Sequence, residues 1–171
     1  MAAGWNLRPQ EASRIKVYGK EYEAPRRTLS YGGEYAFSGQ LSKVNESPQF
    51  LQPFIDRANL YFGRLNIPGR TQFLINWYEP HEYICAHQDD ESNLVKSKKG
   101  EMIIISFTLQ EGNPRIFRMK PKGKGTNRLD VTLEDGAVVL MGGLTQQTHT
   151  HAIPKKKGVG RRINITFRKH Q

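Results

Sequence analysis

The pattern of apolar and polar residues predicts one helix followed by a series of short strands. After Pro53, apolar side chains recur at helical spacing, at Phe54, Ile55, Ala58, Tyr61, Phe62 and Leu65. This spacing places them on one face of an amphipathic helix over about residues 53–65, and proline suits a first helical turn. We expect that face to pack against a sheet.

Beyond this helix, apolar and polar residues alternate in short runs. In TQFLINWY (71–78), Phe73, Ile75 and Trp77 alternate with Leu74, Asn76 and Tyr78. Later runs are separated by Gly, Pro or Lys-rich turns: EYICAHQD, EMIIISFTL, RIFRMK, RLDVTLE, GAVVLM, THTHAI and RRINITFR. No helical pattern intervenes between the late strands, which argues against parallel βαβ units. The pattern predicts a mainly β protein with a flanking helix, arranged as a sandwich or jelly roll.

Length and composition narrow the class of protein. With 171 residues the chain fits a single domain over residues 1–171. No apolar run approaches the roughly 18 residues that a membrane span requires, so we expect no membrane insertion. Cys85 is the one cysteine and the first residues do not resemble a secretion signal, so we expect a reducing compartment, cytoplasm or nucleus. We also expect the protein to be a monomer.

The charge is strongly basic but uneven. The net charge is +10, and three lysine clusters lie within 96–99, 120–124 and 155–157. Residues 76–118, by contrast, hold more acidic than basic side chains. A basic surface favours a polyanionic partner such as nucleic acid, although the same charge also serves solubility.

A candidate metal site begins at the end of one predicted strand. His87 and Asp89 lie two residues apart, and residues at that spacing share one face of a strand. His151 on a later predicted strand is a candidate third ligand. Two histidines and one carboxylate form the facial triad of non-haem iron(II) oxygenases, which leaves coordination positions open. The same ligands also bind zinc, so a zinc hydrolase is an alternative.

The last predicted strand has one apolar and one polar face. In RRINITFR, residues Arg162, Asn164 and Arg168 share the polar face with a threonine. Two guanidinium groups and an amide are suited to a dicarboxylate, which they can hold through charge-assisted hydrogen bonds. Asn76 and Tyr78 also share a face and can meet the same anion. The alternative is that this polar face is the solvated side of an edge strand.

Together these segments resemble one family. NWYEPHEYICAHQDDE looks like the metal motif of the AlkB-like iron(II) and 2-oxoglutarate-dependent dioxygenases, and LEDGAVVLMGG with THTHAIP resembles their distal histidine segment. RRINITFR is similar to their closing motif, and PRRTLSYGGEYAFSG (25–39) resembles the nucleotide-recognition segment of the family's nucleic-acid demethylases. The resemblance implies a double-stranded β-helix, or jelly roll. It divides the domain into a recognition segment with its supporting helix (25–75) and a catalytic core (76–169).

Site residues follow from the resemblance, position by position. It makes His87, Asp89 and His151 the ligands of Fe(II). It places Arg162 on the C5 carboxylate of 2-oxoglutarate and Arg168 near the C1 end. The remaining residues of the co-substrate pocket are then Asn76, Tyr78 and Asn164.

The resemblance also implies contacts with a substrate base. Tyr35 and Phe37 match aromatic positions that line the base pocket, while Asp90 and Glu91 match acidic positions beside the metal motif. One departure concerns the distal histidine, where relatives commonly carry a bulky aromatic and this chain has QTHT at 147–150. His149 is therefore a competing ligand, although the spacing to Pro154 favours His151.

The implied activity is oxidative demethylation of N-alkylated bases such as 1-methyladenine and 3-methylcytosine in DNA or RNA. Decarboxylation of 2-oxoglutarate by O2 is coupled to methyl hydroxylation and formaldehyde release. The substrate would be single-stranded or carry a flipped base. One alternative is a 2-oxoglutarate-dependent hydroxylase of a protein or small molecule. Another is a nucleic-acid-binding module with a vestigial metal site.

Overall fold

The chain begins with short elements that precede the main helix. A computed structural model describes residues 1–17, 19–32, 35–37, 40–42, 45–89, 91–98, 101–123 and 127–171. The first elements are α1 (Ala2–Trp5), β1 (Arg14–Val17), β2 (Lys20–Glu23), β3 (Arg27–Tyr31), β4 (Tyr35–Phe37) and β5 (Gln40–Ser42). A 3-10 turn (Gln49–Leu51) leads into helix α2 (Gln52–Arg64), which has proline in its first turn. The predicted helix is therefore present.

Strands dominate the remainder of the chain, as the alternating pattern predicts. They are β6 (Arg70–Tyr78), β7 (Ile84–His87), β8 (Ile104–Gln110), β9 (Arg115–Pro121), β10 (Leu129–Leu133), β11 (Val138–Met141), β12 (His149–Ile153) and β13 (Arg162–His170). One further short helix, α3 (Thr145–Thr148), lies between β11 and β12. None of the described helices is long and apolar enough to span a bilayer.

Two antiparallel sheets form the core. The five-stranded sheet has the order β11-β8-β13-β6-β3, and the four-stranded sheet has the order β10-β9-β12-β7. Strands close in sequence are divided between the two sheets: β6 and β8 pair with β13 in one, while β7 and β9 pair with β12 in the other. This is the topology of a double-stranded β-helix, so the jelly-roll prediction is confirmed.

The two faces of the five-stranded sheet have different chemistry. Phe73, Ile75 and Trp77 of β6 lie in one apolar cluster with alternate residues of β13 and with Ala58 and Phe62 of α2. The helix therefore covers this face, because its apolar stripe and the alternate apolar residues of the strands each form a continuous apolar surface.

The opposite face of β13 is polar, but it does not face solvent. β13 is the central strand of its sheet, and Arg162, Asn164 and Arg168 are each buried and line a cavity between the sheets. The edge-strand alternative is wrong. Burial of such polar side chains requires partners in the cavity.

Candidate active site

The predicted metal-binding residues meet at one point between the sheets. His87 ends β7, Asp89 follows two residues later, and His151 of β12 is the cross-strand neighbour of His87. The three residues offer ligand atoms that all lie within 4.8 Å of one another. Asp89 carboxylate oxygens are 4.0 Å from His87 Nε2 and 3.7 Å from His151 Nε2. Such a set, with two imidazoles and one carboxylate, can hold a divalent iron ion.

Both histidines are suited to act as neutral ligands. Burial lowers the pKa of His151 to about 4, and it also lowers the pKa of His87, with Asp89 opposing the shift. His87 Nδ1 is 2.9 Å from the carbonyl oxygen of Cys85. Because a carbonyl only accepts hydrogen bonds, the proton belongs on Nδ1, which leaves the Nε2 lone pair directed at the site.

Asp89 is held as a carboxylate by its neighbours. Burial raises its pKa, but the positive charge of Arg168 and interactions with the histidines outweigh burial, so the pKa lies below its usual range. Arg168 Nη2 is 3.5 Å from Asp89 Oδ1, and Arg168 Nη1 donates to Glu91 Oε1 over 2.6 Å. Arg168 therefore joins two carboxylates, one of them in the metal cluster.

The predicted substrate contacts are only partly visible. Glu91 is partly buried against Arg168. Asp90 lies outside the described residues, and so do the side chains of Tyr35 and Phe37, whose backbone forms β4. The base-binding role of all four residues stays a prediction.

The cavity extends from the metal cluster to the buried guanidinium of Arg162. Arg162 is 2% exposed, and its Nη2 donates to Asn164 Oδ1 and Thr108 Oγ1 over 2.7 and 3.2 Å. Its Nε and Nη1 have no hydrogen-bond partner among the described residues. Burial lowers the pKa of Arg162 to about 10, so the group is cationic at neutral pH. Two orphaned donors on a buried cation fit an incoming carboxylate.

Asn76 and Tyr78 line the same cavity, as predicted from their shared face. The guanidinium carbon of Arg162 is 5.3 Å from the centroid of the Tyr78 ring. Asn76 Oδ1 accepts hydrogen bonds from Arg26 Nε and Thr28 Oγ1, each over 2.9 Å. The five proposed co-substrate contacts therefore surround one cavity that also contains the metal cluster.

Sequence reasoning missed Arg26 and Gln146. Arg26 is buried in the cavity wall, within the segment PRRTLS that the family resemblance already marked. Gln146 lies on α3, and its Oε1 accepts a hydrogen bond from the backbone N–H of Asp89 over 2.9 Å. Neither contact could be read from spacing, because the partners are 50 and 57 residues apart.

The competing histidine is placed differently from His151. His149 begins β12, and its Nδ1 is 2.8 Å from Thr148 Oγ1. It is not a member of the three-residue cluster that the described residues form. Of His149 and His151, His151 is thus the one that approaches Asp89.

Comparisons with known proteins agree with this geometry. The profile of the 2OG-Fe(II) oxygenase superfamily matches residues 8–168. The chain is similar to the DNA oxidative demethylase ALKBH2 of Arabidopsis thaliana, with 30% identity over 128 residues, or 60% of this chain and 39% of that protein. It is also similar to alpha-ketoglutarate-dependent dioxygenase alkB homolog 3 of Rattus norvegicus, with 27% identity over 86% of this chain and 50% of that protein. The chain thus spans half or less of the length of these relatives.

A solved structure has the same fold. The structure of OsALKBH1 superposes with a TM-score of 0.57 and 16% identity, covering 95% of this chain and 82% of that one. At this identity the likeness concerns the fold alone.

Proposed function

The chain belongs to the 2OG-Fe(II) oxygenase superfamily, and we propose that it demethylates N-alkylated bases in DNA or RNA. The family uses Fe(II) and 2-oxoglutarate, with O2 as the oxidant. The observation that carries the proposal is one buried cavity with a His-Asp-His cluster and the cationic Arg162 in its lining. A metal that keeps open positions and an anion site beside it are the two parts that this chemistry requires.

The residues present fit both groups. His87, Asp89 and His151 would hold Fe(II), since two neutral imidazoles and a carboxylate match its ligand preference. Arg162 would bind the distal carboxylate of 2-oxoglutarate through its orphaned donors, with Tyr78, Asn76 and Asn164 beside it. When bound, iron and co-substrate supply an O2-dependent hydroxylation of a methyl group, while 2-oxoglutarate becomes succinate and carbon dioxide.

The protein itself orients these groups. Arg168 holds Asp89 ionised and fixes Glu91, so that the carboxylate is available to the metal. Ser106 Oγ and Arg162 Nη2 both donate to Asn164 Oδ1 over 2.7 Å, which fixes the wall of the co-substrate pocket. After hydroxylation, the N-hydroxymethyl group loses formaldehyde without a dedicated acid or base.

Three features support a nucleic-acid substrate. The net charge of +10 favours a polyanion. The relatives' names are those of a DNA oxidative demethylase and an alkB homolog. The segment 25–39 also resembles the nucleotide-recognition segment of the family's demethylases. A base must leave its stack to reach a buried metal, at a cost of roughly a few kcal/mol, and Tyr35, Phe37, Asp90 and Glu91 are proposed to receive it. Single-stranded DNA or RNA lowers that cost.

Formaldehyde release tests the proposal. Protein loaded anaerobically with Fe(II) and 2-oxoglutarate is mixed with O2 and oligonucleotides that carry 1-methyladenine or 3-methylcytosine, single-stranded and duplex, DNA and RNA. We expect formaldehyde in proportion to succinate. Asp89→Asn should abolish both products, whereas Asp56→Asn, a matched change on the exposed side of α2, should retain them.

The outcomes separate the alternatives. Succinate without formaldehyde would retain the dioxygenase but favour a protein or small-molecule substrate. Neither product, with iron bound, would favour the binding module. Activity that zinc supports in place of iron would favour a hydrolase.

A further inference from the structure

A second buried arginine lies beside Tyr78, outside the lining of the cavity. Arg115 of β9 is 1% exposed. Its Nη1 donates to the backbone carbonyl of Glu82 over 2.8 Å, and its Nη2 donates to those of Glu79 and Gly160 over 2.6 and 3.2 Å. Arg115 therefore joins the segment between β6 and β7 to the residues just before β13.

Arg115 and Arg162 both lie against one aromatic ring. The guanidinium carbon of Arg115 is 5.7 Å from the centroid of the Tyr78 ring, and that of Arg162 is 5.3 Å from the same centroid. Tyr78 itself is 2% exposed. The ring thus connects the arginine of the anion site to a second cation that is not among the residues lining the cavity.

The positive charges of Arg115 and Arg162 are not balanced by a hydrogen bond to a carboxylate within the described part of the chain. Arg162 donates only to neutral oxygens, and Arg115 only to backbone carbonyls. The carboxylate of Glu82 acts on Arg115 from a distance, but it is 3.7 Å from Arg8 and 3.8 Å from Arg27. Buried charges are normally paired, so two arginines with neutral partners indicate that an anion belongs here.

We propose that Arg115 is a positioning residue for the distal carboxylate of the co-substrate. It holds Tyr78 beside Arg162 and adds a second positive charge behind the ring. This end of the cavity therefore selects a 2-oxo dicarboxylate over a 2-oxo acid with an uncharged end. The inference rests on the proposed placement of 2-oxoglutarate at Arg162.

Binding of two 2-oxo acids tests this role. The probes are 2-oxoglutarate and 2-oxopentanoate, which has the same carbon chain without the distal carboxylate. Calorimetry on the Mn(II)-loaded protein measures both dissociation constants without turnover. Arg115→Gln keeps amide donors for the carbonyls but removes the charge, and Arg115→Lys keeps the charge. Arg118→Gln, on the same strand but ion-paired with Asp130, is the matched control.

We expect Arg115→Gln to raise the dissociation constant of 2-oxoglutarate roughly tenfold, as loss of one charge in a low-dielectric site implies. The dissociation constant of 2-oxopentanoate should not change. Arg115→Lys should recover most of the loss. The inference would be overturned if Arg115→Gln lost affinity equally for both acids or lost none. It would also be overturned if Arg115→Gln and Arg115→Lys bound 2-oxoglutarate with the same affinity. If Arg115→Gln does not fold, Arg115→Lys gives the second test. It should bind 2-oxoglutarate within a few-fold of the wild type, and a loss of roughly tenfold or more for 2-oxoglutarate alone would overturn the role of the positive charge.

The placement of the co-substrate is tested separately. Arg162→Gln should abolish the preference for 2-oxoglutarate altogether. An unchanged preference in that variant would show that the proposed placement itself is wrong. A change in Arg162→Gln but none in Arg115→Gln would reject only the role of Arg115.

Discussion

The backbone N–H of Asp89 donates to Gln146 Oε1 across 2.9 Å. Gln146 is 3% exposed, and its amide nitrogen is 3.4 Å from Met141 Sδ. The glutamine lies on α3, immediately before the strand that carries His151. This contact therefore joins the two chain segments that supply the metal cluster. Groups that orient metal ligands commonly contribute one to two orders of magnitude to metal affinity.

Replacing Gln146 by leucine should weaken metal binding. The leucine cannot accept the hydrogen bond, so the segment that carries Asp89 loses its anchor. We expect the dissociation constant for Co(II), measured by titration of its absorption bands, to rise roughly 10- to 100-fold. Gln147→Leu, at the neighbouring exposed position, is the control and should bind Co(II) normally. Equal affinity of the two variants would contradict the positioning role.

The distal ligand is decided by two histidine variants. We expect His151→Ala to lose stoichiometric Co(II) binding, since His151, and not His149, lies with Asp89 in the metal cluster. His149→Ala should bind the metal with wild-type affinity, because its imidazole instead meets Thr148. The opposite pattern would identify His149 as the ligand.

Much of this arrangement could be predicted from the sequence because period-2 alternation is a local property. The alternation in β13 predicts which residues share a face, and its cross-strand partner β6 presents Asn76 and Tyr78 to the same side. His87 and Asp89 share a face for the same reason. His151 is a candidate ligand from its position on a later predicted strand, and the family resemblance makes it the third ligand. Its place opposite His87 depends on sheet order.

Other features could not be predicted because they depend on single long-range contacts. Arg115 resembles an ordinary basic residue of a strand, and only the backbone carbonyls around it explain its burial. Strand β3 joins the edge of the five-stranded sheet, and the short alternation of Leu29 and Tyr31 with polar residues does not indicate which strand it pairs with. Gln146 lies in a helix of four residues, too short to give a periodic signal.

We predict that the lysines at 155–157 make a salt-dependent contact with nucleic acid. They are exposed and line a surface groove of about 810 Å³ with Arg27 and Tyr83. Lys155 Nζ is 4.4 Å from the centroid of the Tyr83 ring, a contact that positions the ammonium without neutralising it. Pro25 and Arg27 form the groove wall, while Arg26 between them lines the cavity. A nucleic-acid strand whose base enters the cavity can therefore place its phosphates in this groove, beside the three lysines.

Replacing all three lysines by glutamine should weaken binding of an unmethylated single-stranded oligonucleotide. Each lost phosphate contact lowers the slope of log Kd against log salt by about 0.7, so three contacts lower it by about 2. Fluorescence anisotropy at several salt concentrations measures the slope. Lys20, Lys96 and Lys98 are also exposed, and their replacement by glutamine changes the net charge equally. If the slope of log Kd against log salt falls by the same amount in both triple variants, the groove has no special role.

Because of His170, we expect the folded protein to lose stability in mild acid. It is 7% exposed, and its Nδ1 is 3.0 Å from Asn93 Nδ2, so the neutral ring accepts a hydrogen bond. Burial, with a smaller contribution from Arg168, lowers its pKa to about 4. Between pH 6.5 and 4 the unfolded chain therefore binds a proton that the folded protein excludes. The free energy of unfolding should fall as pH decreases through this window, by at most about 1.4 kcal/mol per pH unit for this one group.

Urea unfolding of the metal-free protein at pH 7, 6 and 5 measures the effect. His170→Gln should flatten the dependence by this one-proton share, whereas His81→Gln, at an exposed position, should leave it as steep as in the wild type. An undiminished slope in His170→Gln would show that the acid sensitivity arises elsewhere.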